Sequence, residues 1–417
     1  MSDAIHHAVD HLFRHSAGQM VAMLTRVFGP SRLELAEEVV QEALIAALQQ
    51  WGIRGVPENP RAWLFQVARN RALDQIRRDA NLRSKEADVL AAFRNRASEE
   101  AAFAHEVRDD QLRMMLMCCH PAIPNESRIA LTLKTVGGFS VDEIARALLT
   151  KKDAIAQRIV RAKRLIREEG IAMDLPARDE LPHRLETLLE VLYLMFNEGY
   201  GAHAGEELVR HDLCAEAIRL TRALVEHPAT KLPQTEALLA LMLLQGARLP
   251  ARVDATGELA TLARQDRERW DQRMIADGLR AFGRAASGER LTAYHVEAAI
   301  AVCHAIAPSF EETDWNAILA HYDQLLALKP TPVVALNRAV ALAMAGQTRQ
   351  GIEAIALVEQ HPALRDYLPL PATLGELWLR GGDRVKGAHY FARALELPST
   401  MPEKRFLLAR LEECHNI

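Results

Sequence analysis

Between Arg146 and Arg167 eight residues are basic and one, Asp153, is acidic. Side chains of this kind do recognition chemistry. Guanidinium and ammonium groups contact phosphates, and Gln or Arg can form paired hydrogen bonds with base edges. The candidates are Lys151, Lys152, Gln157, Arg158, Arg161, Lys163 and Arg164. A second set lies upstream in NPRAWLFQVARNRALDQIRR, where Arg61, Arg69, Arg71, Arg77 and Arg78 surround Trp63. Arginine interleaved with an aromatic ring suits phosphate contact plus stacking on an unpaired base. A third set is acidic: Glu34, Glu37, Glu38, Gln41 and Glu42 share one helical face that repels DNA and suits either solvent or a protein partner. Covalent chemistry has no candidates. The chain holds no G-x-x-x-x-G-K, G-x-G-x-x-G, H-E-x-x-H or G-x-S-x-G, so neither a catalytic residue nor a cofactor is assigned.

The elements that must carry these groups read as helices. Ser140 with Glu143 forms a capping box, and Ile144, Ala145 and Leu148 give a short apolar face. Thr150 is expected to cap a second helix with Ile155, Ile159, Ala162 and Ile166 inward. A short helix, a tight turn and a longer basic helix make a helix-turn-helix, whose second helix enters the major groove. Upstream, His7 to Phe28 has helical periodicity, and Leu35, Val39, Ala43, Ala46 and Ala47 form the apolar stripe behind the acidic face. Asn59 caps the Trp63 helix, with Pro60 at its first position. Asn125 is expected to cap a helix burying Ile129, Leu131, Leu133 and Val136.

The charge is uneven along the chain. Residues 1–170 carry 25 Lys and Arg against 22 Asp and Glu, whereas the remainder carries 26 against 33, so the front half is the one suited to a polyanion. Ala, Leu, Arg and Glu throughout, with few aromatics, indicate an all-α protein. No run of about 18 apolar residues is present. Neither membrane association nor secretion is expected, and the odd number of cysteines, five, fits a reducing cytoplasm. Cys118-Cys119-His120 is not spaced as a metal site. His203, Glu206, Glu207 and His211 make a weak metal cluster split by a glycine loop, so no metal is assigned.

These motifs together resemble a family. AEEVVQEALIAALQQW followed by NPRAWLFQVARNRALDQIRR is similar to region 2 of the extracytoplasmic-function sigma factors of the sigma-70 family, and residues 140–167 are similar to its region 4. The resemblance implies region 2 at 5–80, a mobile linker at 81–107 and region 4 at 108–172. It further implies that Glu37, Glu38, Gln41 and Glu42 dock core RNA polymerase. Arg61, Trp63, Arg69, Asn70, Arg71, Asp74, Arg77 and Arg78 would then melt and read the minus-10 element of promoter DNA. Lys151, Lys152, Ala156, Gln157, Arg158, Arg161 and Arg164 would read the minus-35 element. Where related factors carry Pro or Gly at the start of the recognition helix, this chain has Lys151-Lys152-Asp153, which leaves base preference open.

A minimal factor would end near residue 175, and Pro176 to Pro182 marks a boundary before a helical extension at 180–417. Gly199 and Gly201 are expected to stop its first helix. HYDQLLALKP at His321 and HYFARALELP at His389 lie 68 residues apart, and Gly346 and Gly351 recur as Gly382 and Gly387. The pattern resembles tetratricopeptide repeats of 34 residues, clearest at 315–398, stacked as an α-solenoid. Such an extension is expected to regulate the factor through a peptide, a protein or the chain's own front half. The alternative is a helix-turn-helix regulator that works without polymerase.

Overall fold

The computed structural model describes residues 16–78, 88, 100–148, 150–177, 179–201, 211–253 and 258–415. The described residues are mostly helical, with no β-strand among them. Chain contacts divide it into two units, 1–194 and 195–417.

The described part of the first unit opens with α1 (residues 16–28), residues 7–15 of the expected helix lying outside the described residues, followed by α2 (Leu33–Arg54) and α3 (Pro60–Arg78). In α2 the buried residues are Leu33, Ala36, Val39, Val40, Ala43, Ala47 and Trp51. The stripe therefore lies slightly around the helix from the expected one, with Leu35 and Ala46 only half-buried. Asn59 caps α3 as its sequence indicates, its Oδ1 accepting from the Ala62 amide at 2.9 Å.

Next come α4 (Glu100–Cys118), α5 (Asn125–Thr135), α6 (Val141–Ala147) and α7 (Lys152–Glu168). α4 starts well inside the expected linker, because the alanine-rich stretch after Glu100 propagates the helix backward. The rest of that linker lies outside the described residues. α5 is the hub of this part, burying Ile129, Ala130, Leu131, Thr132 and Leu133 on most of its circumference. Its N-cap is Pro124, with Asn125 already inside the first turn. Gly18 sets how closely the front helix approaches: a Cβ there would stand 2.3 Å from the Val136 carbonyl oxygen. Cys118 and Cys119 are fully buried. Burial pushes both thiols up, that of Cys119 to about 12, so they are protonated core groups.

α8 (Leu181–Tyr200) crosses the division between the units. That division falls at 194/195 rather than at Pro176–Pro182, because the start of α8 packs with the first unit: Arg128 Nη1 donates to Thr187 Oγ1 at 3.3 Å. Gly199 does not stop α8 but lies within it, where an added Cβ would be 2.8 Å from the Cys214 amide nitrogen.

The second unit continues with α9 (His211–Glu226), α10 (Pro233–Gly246), α11 (Gln272–Ala285) and α12 (Ala293–Ile306). α10 is buried on nearly every side and packs on both α11 and α12. Then follow α13 (Trp315–Leu328), α14 (Pro332–Met344), α15 (Thr348–Ala356), α16 (Pro369–Arg380), α17 (Arg384–Leu395) and α18 (Met401–His415). The α14–α15 and α16–α17 turns place Gly346 and Gly382 at φ 92° and 86°, where a side chain is strained. Ion pairs Arg393–Glu359, at 2.6 Å, and Arg410–Glu376, at 2.5 Å, each link positions 34 residues apart.

Candidate nucleic-acid interface

The helix-turn-helix is built as its sequence dictates on one side of the turn and differently on the other. Ser140 and Glu143 cap α6 reciprocally: the Ser140 amide donates to Glu143 Oε2 at 2.8 Å, and the Glu143 amide to Ser140 Oγ at 3.2 Å. α7 is capped by Lys151, not Thr150, and no side-chain hydrogen bond closes its first turn. Asp153 still lies in that turn, where a carboxylate favours the positive helix end. Ile155, Ile159, Ala162 and Ile166 are buried, which fixes the opposite face outward. About 1.5–3 kcal/mol per buried isoleucine holds that orientation.

Lys151, Lys152, Gln157, Arg161 and Arg164 are exposed, and Ala156 is half-buried. Three of the cations are already engaged. Lys152 Nζ reaches Asp142 at 2.8 Å, Arg158 pairs with Glu126, and Arg164 lies 3.5 Å from Glu168. These are surface pairs, worth little each and readily exchanged for a phosphate.

On α3, Asn70, Arg71, Asp74, Arg77 and Arg78 are exposed, while Arg61, Trp63 and Arg69 are half-buried. Arg61 Nη2 donates to Gln19 Oε1 at 2.8 Å, which fastens α3 to α1. Trp63 stands edge-on to Trp51 with ring centres 5.4 Å apart, so part of its surface is structural. Arg77 faces Asp74 at 3.9 Å, and Gln66 donates to Asn70 Oδ1 at 3.2 Å. On α2, Glu38 and Gln41 are exposed, Glu42 lies 3.6 Å from Arg71, and Glu37 is half-buried against Lys163 of α7. The acidic face and the arginine helix therefore adjoin through Glu42 and Arg71. The Lys163–Glu37 contact joins α7 to α2 across 126 residues, and no local sequence pattern announces it.

The residues of the weak His203–Glu206–Glu207 cluster lie outside the described residues, and His211 begins α9. Among the described residues no helix is long and apolar enough to cross a membrane.

An acidic helix, an arginine-lined helix and a capped helix-turn-helix thus occur together in one all-α unit. The family models agree in extent: sigma-70 region 2 matches residues 12–81 and sigma-70 region 4 matches 113–166. Residues 184–286 match a family of unknown function (DUF6596). The chain is 32% identical over 138 residues to the ECF RNA polymerase sigma factor SigL of Mycobacterium tuberculosis, spanning 32% of this chain and 75% of that one. It is 29% identical over 137 residues to a probable RNA polymerase sigma factor, RfaY, of Xanthomonas campestris, spanning 32% of this chain and 34% of that one. An uncharacterized protein of Rhizobium meliloti is 40% identical over 401 residues, 94% of this chain and 93% of its own. The chain belongs to the extracytoplasmic-function sigma factors of the sigma-70 family and carries a helical C-terminal extension.

Proposed function

We propose that the chain binds core RNA polymerase through the exposed acidic face of α2 and directs it to promoters through α3 and α7. The observation that carries this reading is the pairing of the two surfaces in one unit. An acidic face cannot hold DNA, and the exposed basic face of α7 has no such limit. Glu38, Gln41 and Glu42 are the docking residues, with Glu37 joining them once Lys163 releases it. Arg71, Arg77, Arg78 and Asn70 meet the minus-10 element, with Trp63 available for stacking. Lys151, Lys152, Gln157, Arg161 and Arg164 meet the minus-35 element. The protein itself makes and breaks no covalent bond; affinity for polymerase and readout of sequence are its contribution, in the cytoplasm where polymerase works.

The extension from α9 onward is the regulatory module. The Gly-hinged helix pairs and the ion pairs at 34-residue spacing support a repeat-like stack able to hold a peptide or a protein. Pull-down of purified core polymerase with the full chain, followed by run-off transcription on genomic fragments, tests the central reading. Co-purification and defined start sites are expected. Promoter-length DNA binding without any association with core would instead make the chain a stand-alone regulator.

A further inference from the structure

The second unit holds a group of cations that promoter binding does not use. Arg248, Arg252 and Arg267, all from the segment between α10 and α11, gather on two aromatic rings. The guanidinium carbons of Arg267 and Arg248 lie 4.5 Å and 5.5 Å from the centre of the Trp270 ring. That of Arg252 lies 4.1 Å from the centre of the Tyr200 ring. Arg267 also ties in α12, donating to the carbonyl oxygens of His304 and Ala307 at 2.8 Å and 2.6 Å.

Among the described residues none of the three arginines forms an ion pair with a carboxylate; Glu311 acts on Arg267 from a greater distance. Arg248 is 9% exposed, and its side chain donates to neutral amide oxygens, of Gln245 at 3.2 Å and Gln265 at 3.5 Å. Arg284 of the same unit, by contrast, holds Glu236 by two bonds of 2.8 Å and 2.9 Å.

The cluster also has donors to spare. Three donors, Arg252 Nε, Arg267 Nη2 and Trp270 Nε1, are shielded from solvent and make no hydrogen bond within the protein, and His304 Nδ1 beside them has no partner there either. Trp270 is only 3% exposed. Guanidinium and indole nitrogens can only donate, and buried donors left unpaired are rare and costly. The surplus positive charge is felt by its neighbours. Burial, then Arg248 and Arg267, pushes the His304 imidazole down to about 3. Burial would raise the Tyr200 phenol, yet Arg248 and Arg252 hold it below its ordinary value.

We propose that Tyr200, Arg248, Arg252, Arg267, Trp270 and His304 form a binding site for the carboxylate or phosphate group of a small soluble ligand. An oxyanion supplies the acceptors that the orphaned donors lack, and the arginine fork matches its geometry. The site gathers half-buried side chains around the buried Arg248 and Trp270 rather than running along an exposed helix ridge, which favours a compact ligand over a nucleic-acid backbone. Five of its six residues fall within 184–286, the segment matched by the family of unknown function.

Titration of the full-length chain with inorganic phosphate, and separately with succinate, tests this against sodium chloride at matched ionic strength. Tryptophan fluorescence and the thermal midpoint are followed together. A saturable response to at least one oxyanion, absent with chloride, is expected. Its midpoint should weaken at least ten-fold in Arg252→Gln and in Arg267→Gln, and stay unchanged in the control Arg349→Gln. Trp270→Phe keeps the ring and should lose most of the fluorescence response while the wild-type titration stands as a measurement independent of any arginine variant's folding. Response to phosphate alone assigns a phosphoryl ligand, and response to succinate alone a carboxylate. No response beyond chloride, or one that persists unchanged in both arginine variants, overturns the site.

Discussion

Lys163 on α7 and Glu37 on α2 form an ion pair that couples the helix-turn-helix to the acidic helix, with side chains only 14% and 21% exposed. Glu37 Oε1 is shielded and accepts no hydrogen bond within the protein, so Lys163 is the partner on which that carboxylate depends. Removing one member leaves a largely buried charge unmatched, whereas removing both does not. Lys163→Met and Glu37→Gln should each cost about 2 kcal/mol in urea unfolding, and the double variant less than their sum. Additive losses would mean that the pair carries no coupling. Under the docking proposal, Lys163→Met should also raise affinity for core polymerase, since it frees Glu37.

Glu38 is exposed, and Glu42, with its side chain 38% exposed, faces Arg71 at 3.6 Å. Reversing both to Lys disturbs no buried contact and should leave the helical circular dichroism intact. Affinity for core polymerase should fall at least ten-fold, which is about 1.4 kcal/mol. Equal affinity in a fluorescence-anisotropy titration would remove the docking role from this face.

On α7, Arg161 is exposed and Gln157 lies one turn before it. If Arg161 meets a phosphate, Arg161→Ala weakens all promoters alike and lowers the salt slope of binding by about 0.9. If Gln157 reads a base, Gln157→Ala changes the ranking of minus-35 variants instead. Binding measured across a salt series and a base-substitution panel separates the two. A sequence-selective effect from Arg161 and a uniform one from Gln157 would exchange their roles.

Local signals in the sequence were legible where one element decides the outcome. Ser140 and Glu143 are three residues apart, so their capping box needs no tertiary knowledge, and the Ile155–Ile159–Ile166 stripe fixes the outer face of α7. Errors arise where tertiary packing overrides a local preference. Thr150 is a good cap by type, yet the tight turn after α6 starts α7 at Lys152. Gly199 reads as a helix stop but serves the close approach of Cys214. The Lys163–Glu37 pair and the arginines around Trp270 join distant or irregular segments that no periodicity links.

His304 gives the second unit a pH response whose sign is fixed. Burial, with Arg248 and Arg267 nearby, takes its imidazole from an ordinary value of 6.5 down to about 3. The unfolded chain therefore binds the extra proton first, and stability falls as pH drops through 6.5 toward 3. Between pH 7 and 5.5 the loss should be about 1 kcal/mol. Denaturant unfolding of wild type and His304→Gln at the two pH values reads it. The variant should show a flatter dependence, and parallel curves would mean that His304 does not titrate in this way.

The position of α8 decides where the extension can be removed. Leu185 is fully buried, Arg184 is 7% exposed, and Thr187 accepts from Arg128. Arg128 in turn holds the turn before α5, donating to the carbonyl oxygens of Ile123 at 2.6 Å and Pro121 at 2.9 Å. A chain ended at 177 strips this support from the helix-turn-helix unit, whereas one ended at 200 retains all of α8. Deleting even Leu185 and its neighbour Leu188 forfeits the burial of each, about 1.5–3 kcal/mol apiece, so the shorter chain should melt about 10 °C or more below the longer. Transcription should then be compared with the full chain using the longer truncation, because a defect in the shorter one reports lost folding rather than lost regulation. Equal melting midpoints for the two truncations would show that α8 belongs functionally to the extension alone.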